Sequence, residues 1–285
     1  MRRVFCLLGI LGLAAAVAAC WFAGSYLIAT HPASVGALPS DLPVEPVSLH
    51  TSDGRQVNGW FVPGQTGQGA VVLLHHIRGS RRSMVGRARF LHRAGYAILL
   101  IDLQGHGETP GVAMTFGFLE ALDAEASVRY LKSRLPGEKI GVLGVSLGGA
   151  AALLGETTAM VDAVALEMVY TTLAEATENR LVFYLGAIGR YLSPLLLWQI
   201  GPRLGFDPDD LAPIDRIGSV KAPLLLIAGS EDKRVTIEQS RRLFSRAPDS
   251  KSLWVIAGAG HQNLHRFAGQ AYERRLLGFF NRTLR

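Results

Sequence analysis

One five-residue run, Gly144-Val145-Ser146-Leu147-Gly148, has the composition of a nucleophile site. A serine on a sharp strand-to-helix turn projects its hydroxyl above the sheet, and glycines two residues to either side remove side chains that would collide there. The run follows a β-rich segment, Lys139 to Val145, and precedes an alanine-rich helical stretch. The bland alternative is a small-residue turn with a solvent-facing serine. A free hydroxyl is a weak nucleophile and needs a base. In the chain order serine, acid, histidine, that base lies downstream, where only His261 and His265 follow the late strands. His261 stands in Gly258-Ala259-Gly260-His261, a flexible loop directly after the last strand, and is the candidate base. His265 begins the final helix and reads as a surface histidine. For the acid, Ala228-Gly229-Ser230-Glu231-Asp232 offers two carboxylates after the preceding strand. Asp232, one step further around the turn, is preferred, with Glu231 a solvent-facing neighbour and Glu167, in an apolar strand, an outside alternative. The acid would fix the imidazole tautomer and stabilise the imidazolium.

Positioning such groups requires alternating strands and helices, and the chain supplies them. Val47 to Thr51 and Val57 to Pro63 flank the turn signal Ser52-Asp53-Gly54 and predict an antiparallel hairpin. Short apolar runs at 70–74, 97–101, 139–145, 163–169, 223–228 and 252–256 read as buried strands. Helical spacing is legible over about 81–93, 120–135, 236–246 and 265–281. This is the pattern of a mostly parallel sheet covered on both faces, an α/β domain over 47–285. Residues 171–216 break the alternation with an apolar helical stretch and read as a helical cap over the strand ends.

The N-terminus is a separate problem. Arg2 and Arg3 precede uncharged residues from Val4 to Ala29, which at about 1.5 Å per residue can cross a hydrocarbon layer of ~30 Å. Residues 1–30 are therefore expected to be a membrane anchor, with the arginine pair cytoplasmic and the catalytic domain extracytoplasmic. Val17-Ala18-Ala19-Cys20 also fits a lipoprotein signal, and a cleaved secretory signal is the third reading. Residues 31–46, with Pro32, Pro39, Pro43 and Pro46, are expected to be an extended linker. The two cysteines, Cys6 and Cys20, both precede it, so the domain has no disulfide and no thiolate metal site. The net charge of +6 is spread over several helices with no nucleic-acid-binding motif, which speaks against a nucleic-acid partner.

Taken together, Leu73-Leu74-His75, Asp102-Leu103-Gln104-Gly105-His106-Gly107, the Ser146 run, Gly229-Ser230-Glu231-Asp232 and Gly258-Ala259-Gly260-His261 resemble the α/β-hydrolase superfamily in order and spacing. The look is that of membrane-anchored bacterial members of esterase or peptidase type. The resemblance implies an α/β-hydrolase fold with an eight-stranded sheet, no metal and no organic cofactor. It implies an oxyanion hole from the backbone N–H groups of Ile77 and Leu147. One position departs: the family's His-Gly-x is here His75-His76-Ile77, so His76 replaces a glycine and, with Arg78, is a candidate pocket residue. His106 belongs to a structural turn in this family. The expected activity is hydrolysis of a small-molecule or acyl ester through Ser146, Asp232 and His261. Amide, peptide or thioester cleavage by the same triad remains open, as does a non-catalytic ligand-binding role.

Overall fold

The computed structural model describes residues 2–285; Met1 and the side chains of residues 2–10, 13 and 16 lie outside the described residues. Eight strands build one sheet: β1 (Glu45–His50), β2 (Gln56–Val62), β3 (Ala70–Leu74), β4 (Ala97–Ile101), β5 (Ile140–Val145), β6 (Ala163–Glu167), β7 (Leu224–Gly229) and β8 (Lys251–Ile256). Their spatial order is β1-β2-β4-β3-β5-β6-β7-β8. The β1–β2 and β2–β4 pairs are antiparallel and every other pair is parallel. The inner strands are buried along their whole length, as their near-continuous apolar sequences require of a sheet covered on both faces.

Alternation of side chains along each strand feeds two cores. On one face Val72, Leu74, Leu99 and Val142 meet helix α3 (Glu120–Arg134) through Ala124, Val128 and Leu131, and meet Ala150 and Leu153 of helix α4 (Leu147–Leu154). On the other face Val71, Leu73, Ile98, Leu100 and Leu143 meet helix α2 (Val85–Arg93) and the C-terminal helix. That last helix was expected from about 265 to 281. It is instead broken by Gly269 (φ 50°), leaving a short turn at Leu264–Ala268 before Gln270–Leu284.

The insertion between β6 and β7 carries helices Leu173–Leu185, Ile188–Leu197 and Ile200–Leu204. Gly186 (φ 66°) splits the apolar stretch into a hairpin. This cap rests partly on a small core of Leu173, Ile200, Phe206 and Leu211.

The N-terminal segment forms helix α1 (Arg2–Leu27), and its described C-terminal half packs on the cap. Arg203 donates to Ser25 Oγ at 2.8 Å and to the Trp21 carbonyl at 2.6 Å, with its guanidinium 3.8 Å from the Trp21 ring centre. Gln199 Nε2 donates to the Cys20 carbonyl at 3.1 Å. Among the described residues no helix is long and apolar enough to cross a membrane. The transmembrane expectation thus finds no support in the fold. The proline-rich segment lies against the domain. Val35 and Leu42 are buried, Arg82 donates to the Val35 and Ala37 carbonyls at 2.9 and 2.7 Å, and His31–Pro32 pairs with His106–Gly107.

Candidate active site

Parallel strands β3 to β8 deliver their C-terminal ends to one edge of the sheet, the edge at which open α/β sheets bind ligands. Ser146 follows β5 directly and precedes α4, with φ 51° and ψ −109°. That left-handed φ is uncommon for a residue with a Cβ and is held by tertiary contacts. Ser146 N donates to the Glu167 carbonyl at 2.8 Å, and Gly148 N donates to the His75 carbonyl at 3.1 Å. A Cβ on Gly148 would lie 2.5 Å from the Leu74 carbonyl oxygen, so only glycine lets α4 start this close to β3.

Asp232 lies just beyond β7 and is buried; His261 lies beyond β8 and is half-buried. The two loops are tied together by Glu231 N donating to the Ala259 carbonyl at 2.9 Å. His261 Nδ1 and Asp232 Oδ2 are 2.7 Å apart. The other carboxylate oxygen accepts the N–H groups of Arg234 and Val235 at 2.8 and 2.9 Å, which fixes the carboxylate plane. His261 is thereby held by Nδ1, and its Nε2 is left to meet a hydroxyl. Glu231 is exposed, and His265 Nε2 lies 2.9 Å from Glu273 Oε1.

Glu167, the outside candidate for the acid, is committed elsewhere. Its carboxylate accepts Arg87 Nε and Nη2 at 3.1 and 2.7 Å and the Tyr272 hydroxyl, all three side chains being buried. Burial works against the Arg87 charge, but the fields of Glu167 and Tyr272 raise its pKa above the ordinary arginine value. Glu167→Gln is expected to lower stability by about 3–5 kcal/mol, because it leaves a buried guanidinium without counter-charge. Urea unfolding monitored by fluorescence checks this; an unchanged midpoint would contradict the pairing.

The loop after β3 is organised by His75. Its Nε2 accepts the Leu103 N–H at 3.0 Å, so the proton sits on Nδ1, which lies 2.7 Å from the His76 carbonyl. Complete burial keeps this imidazole neutral, well below the usual histidine pKa. His76, in the place of a glycine, is not among the residues with positive φ; the left-handed residue of this loop is Arg78 (φ 59°). The backbone at residue 76 thus makes no demand that only glycine meets. The exposed His76 ring has its Nδ1 2.8 Å from the Ile77 carbonyl. Among the described residues, neither Ile77 N–H nor Leu147 N–H has an internal hydrogen-bond partner. His106 is buried in the turn that pairs with His31.

A family model described as "Alpha/beta hydrolase family" matches residues 71–275, a span from β3 to the last helix. The chain belongs to that family. Among relatives of this α/β hydrolase, an uncharacterised Mycobacterium tuberculosis protein, Rv2307c, is 33% identical over 238 residues, covering 81% of this chain and 78% of the relative. An uncharacterised peptidase of Bacillus subtilis, YuxL, is 28% identical over 221 residues, which is 70% of this chain and 32% of YuxL. Among solved structures, the Pyrococcus furiosus esterase Pf2001 superposes with a TM-score of 0.75 at 23% identity, covering 90% of this chain and 99% of that one. That likeness extends to the fold.

Arg180 and Arg234 were not singled out from the sequence. Arg180 lies in the segment read as a cap and Arg234 between the run carrying the acid and the next helix, and no spacing links them. The cap helix that carries Arg180 docks on Arg234 through Asn179 and Tyr184.

Proposed function

We propose that this α/β hydrolase is a serine hydrolase that cleaves a carboxylic ester through Ser146, His261 and Asp232. The observation that carries the reading is the 2.7 Å contact between His261 Nδ1 and Asp232 Oδ2 at the sheet edge where Ser146 turns out of β5 with φ 51°. In this mechanism Ser146 Oγ attacks the carbonyl carbon as its proton passes to His261 Nε2, and Asp232 stabilises the resulting imidazolium. The tetrahedral oxyanion takes the unpartnered N–H groups of Ile77 and Leu147. Collapse expels the alcohol, which takes the proton from His261. A water then donates its proton to the same nitrogen as it attacks the acyl-enzyme, and the acid leaves with Ser146 regenerated. The esterase name of the Pyrococcus furiosus neighbour supports ester over amide as the leaving bond.

A panel of one acyl group presented as ester, thioester and peptide amide tests the assignment. Ester turnover dependent on Ser146 is the expected result; turnover of the amide alone would replace esterase by peptidase.

The membrane anchor belongs to the same reading. The uncharged run from Val4 to Ala29 supports it. Exposed apolar and aromatic residues on the N-terminal helix and the cap helices packed against it support it further: Phe22, Tyr191, Leu195 and Trp198 are apolar side chains of the kind that settle at a bilayer interface. The full chain expressed in a bacterium is expected to stay in the membrane fraction after alkaline carbonate washing. Protease added to spheroplasts should degrade its domain. Release by carbonate would remove the anchor, and protection from protease would put the domain on the cytoplasmic side.

A further inference from the structure

Three arginines, one on the loop after β3, one on the cap and one on the loop that carries Asp232, stand outside the ion pairs of the described residues. Arg78 stands on the loop after β3, next to Ile77. Arg180 is on the first cap helix, and Arg234 follows Asp232 by two residues. Asn179 locks the cap to the acid's loop: its Nδ2 donates to the Arg234 carbonyl at 3.0 Å and to Gln239 Oε1 at 2.9 Å. Arg180 is the next residue on that helix. One helical turn on, the Tyr184 hydroxyl accepts from Arg234 Nη2 at 3.3 Å. Arg78 reaches across to Tyr26, donating to its hydroxyl at 3.0 Å with the guanidinium 4.5 Å from the ring centre.

Neighbouring arginines are ion-paired, Arg190 with Glu178 and Arg242 with Glu175. Among the described residues Arg78, Arg180 and Arg234 form no ion pair. Arg180 and Arg234 are half-buried. Burial first, then the positive fields of Arg234 and Arg78, hold the Arg180 guanidinium below its ordinary range. Like charges gathered in a partly desolvated place destabilise a fold unless an anion arrives to join them.

We propose that Arg78, Arg180 and Arg234 form an anion-binding subsite, and that the substrate carries a carboxylate or phosphate group close to its scissile ester. The inference rests on the Ser146 hydrolase reading and adds the substrate class to it. Planar guanidinium forks are suited to either anion, since each offers two parallel N–H donors to two oxygens. The anion would take the place Tyr26 holds against Arg78, so substrate binding would also loosen the N-terminal helix from the loop.

The test compares esters matched in length. Monomethyl glutarate is set against methyl pentanoate for the carboxylate. Butyryl-glycerol 3-phosphate is set against glycerol monobutyrate for the phosphate. For the full-length protein, kcat/KM for at least one anionic ester should exceed that of its neutral partner by about 10- to 100-fold. In Arg180→Gln and Arg234→Gln that ratio should fall toward one, chiefly through KM, with partial recovery in Arg180→Lys. A ratio near one in the native protein, or an unchanged ratio in both glutamine variants, overturns the subsite while leaving the hydrolase reading intact. If no ester is turned over, the ester reading fails and thermal shift decides the subsite. Millimolar glutarate or inorganic phosphate should raise the melting temperature of the native protein and not that of Arg180→Gln. No shift with either anion sinks it.

Discussion

Asp232→Asn should leave a folded protein whose ester turnover has fallen on the order of 10⁴-fold. The size of the effect follows from the hydrogen bonds around this side chain. Asp232 Oδ1 accepts two backbone N–H groups, from Arg234 and Val235. An asparagine must therefore keep its carbonyl oxygen there and turn its NH₂ toward His261 Nδ1. That nitrogen then has to accept a hydrogen bond, which moves the imidazole proton to Nε2. A ring protonated at Nε2 cannot take the proton of Ser146. Initial rates at saturating substrate check the loss, and urea unfolding should show a much smaller effect on stability. If Asp232→Asn kept most of its turnover, Asp232 would not be the orienting acid, and Glu231 would have to be reconsidered.

The larger loss is expected for Ser146→Ala, on the order of 10⁶-fold in kcat, because the covalent step has no other nucleophile. His261→Ala should fall about as far, and the double variant no further, since serine and base act as one unit. Ser146→Ala does not disturb the fold by removing a hydrogen bond that holds the turn, because the turn is held by main-chain bonds from Ser146 N and Gly148 N. The variant does have to keep φ near 51° without glycine's freedom, as serine already does. Single-turnover and steady-state rates, measured on protein repurified to exclude host esterases, distinguish a true residual rate from contamination. Multiplicative losses in the double variant would mean that the two side chains act separately.

Much of this arrangement was legible in the sequence because each group proposed to be catalytic sits in a loop that begins where an apolar run ends. Strands of five or six apolar residues fix where Ser146, Asp232 and His261 leave the sheet, and parallel pairing puts those exits on one edge. What stayed ambiguous depends on contacts far apart in the chain. Glu167 looked like a third candidate for the acid, and only the approach of Arg87 and Tyr272 from distant helices shows it to be a buried structural charge. His76 looked like a disruption of the loop, since backbone dihedrals cannot be read from residue type; the strained position is Arg78. The proline-rich segment read as a spacer on composition alone. Its Val35 and Leu42 are buried, and Arg82 and Arg89 of the following turn and helix bind it through carbonyls and Asp41. The cap hairpin was hidden for a similar reason. Its apolar residues have helical spacing throughout, and the break at Gly186 needs a left-handed φ that sequence spacing does not reveal.

Activated Ser146 is the claim on which the rest depends, and a fluorophosphonate probe reports on it without any choice of substrate. Incubated with the full-length protein and followed by peptide mass spectrometry, the probe should leave one phosphonyl adduct on the peptide containing Ser146. The adduct should be absent in Ser146→Ala and form far more slowly in His261→Ala. A native protein that is folded yet unlabelled at Ser146, or labelled at the same rate without His261, would contradict it.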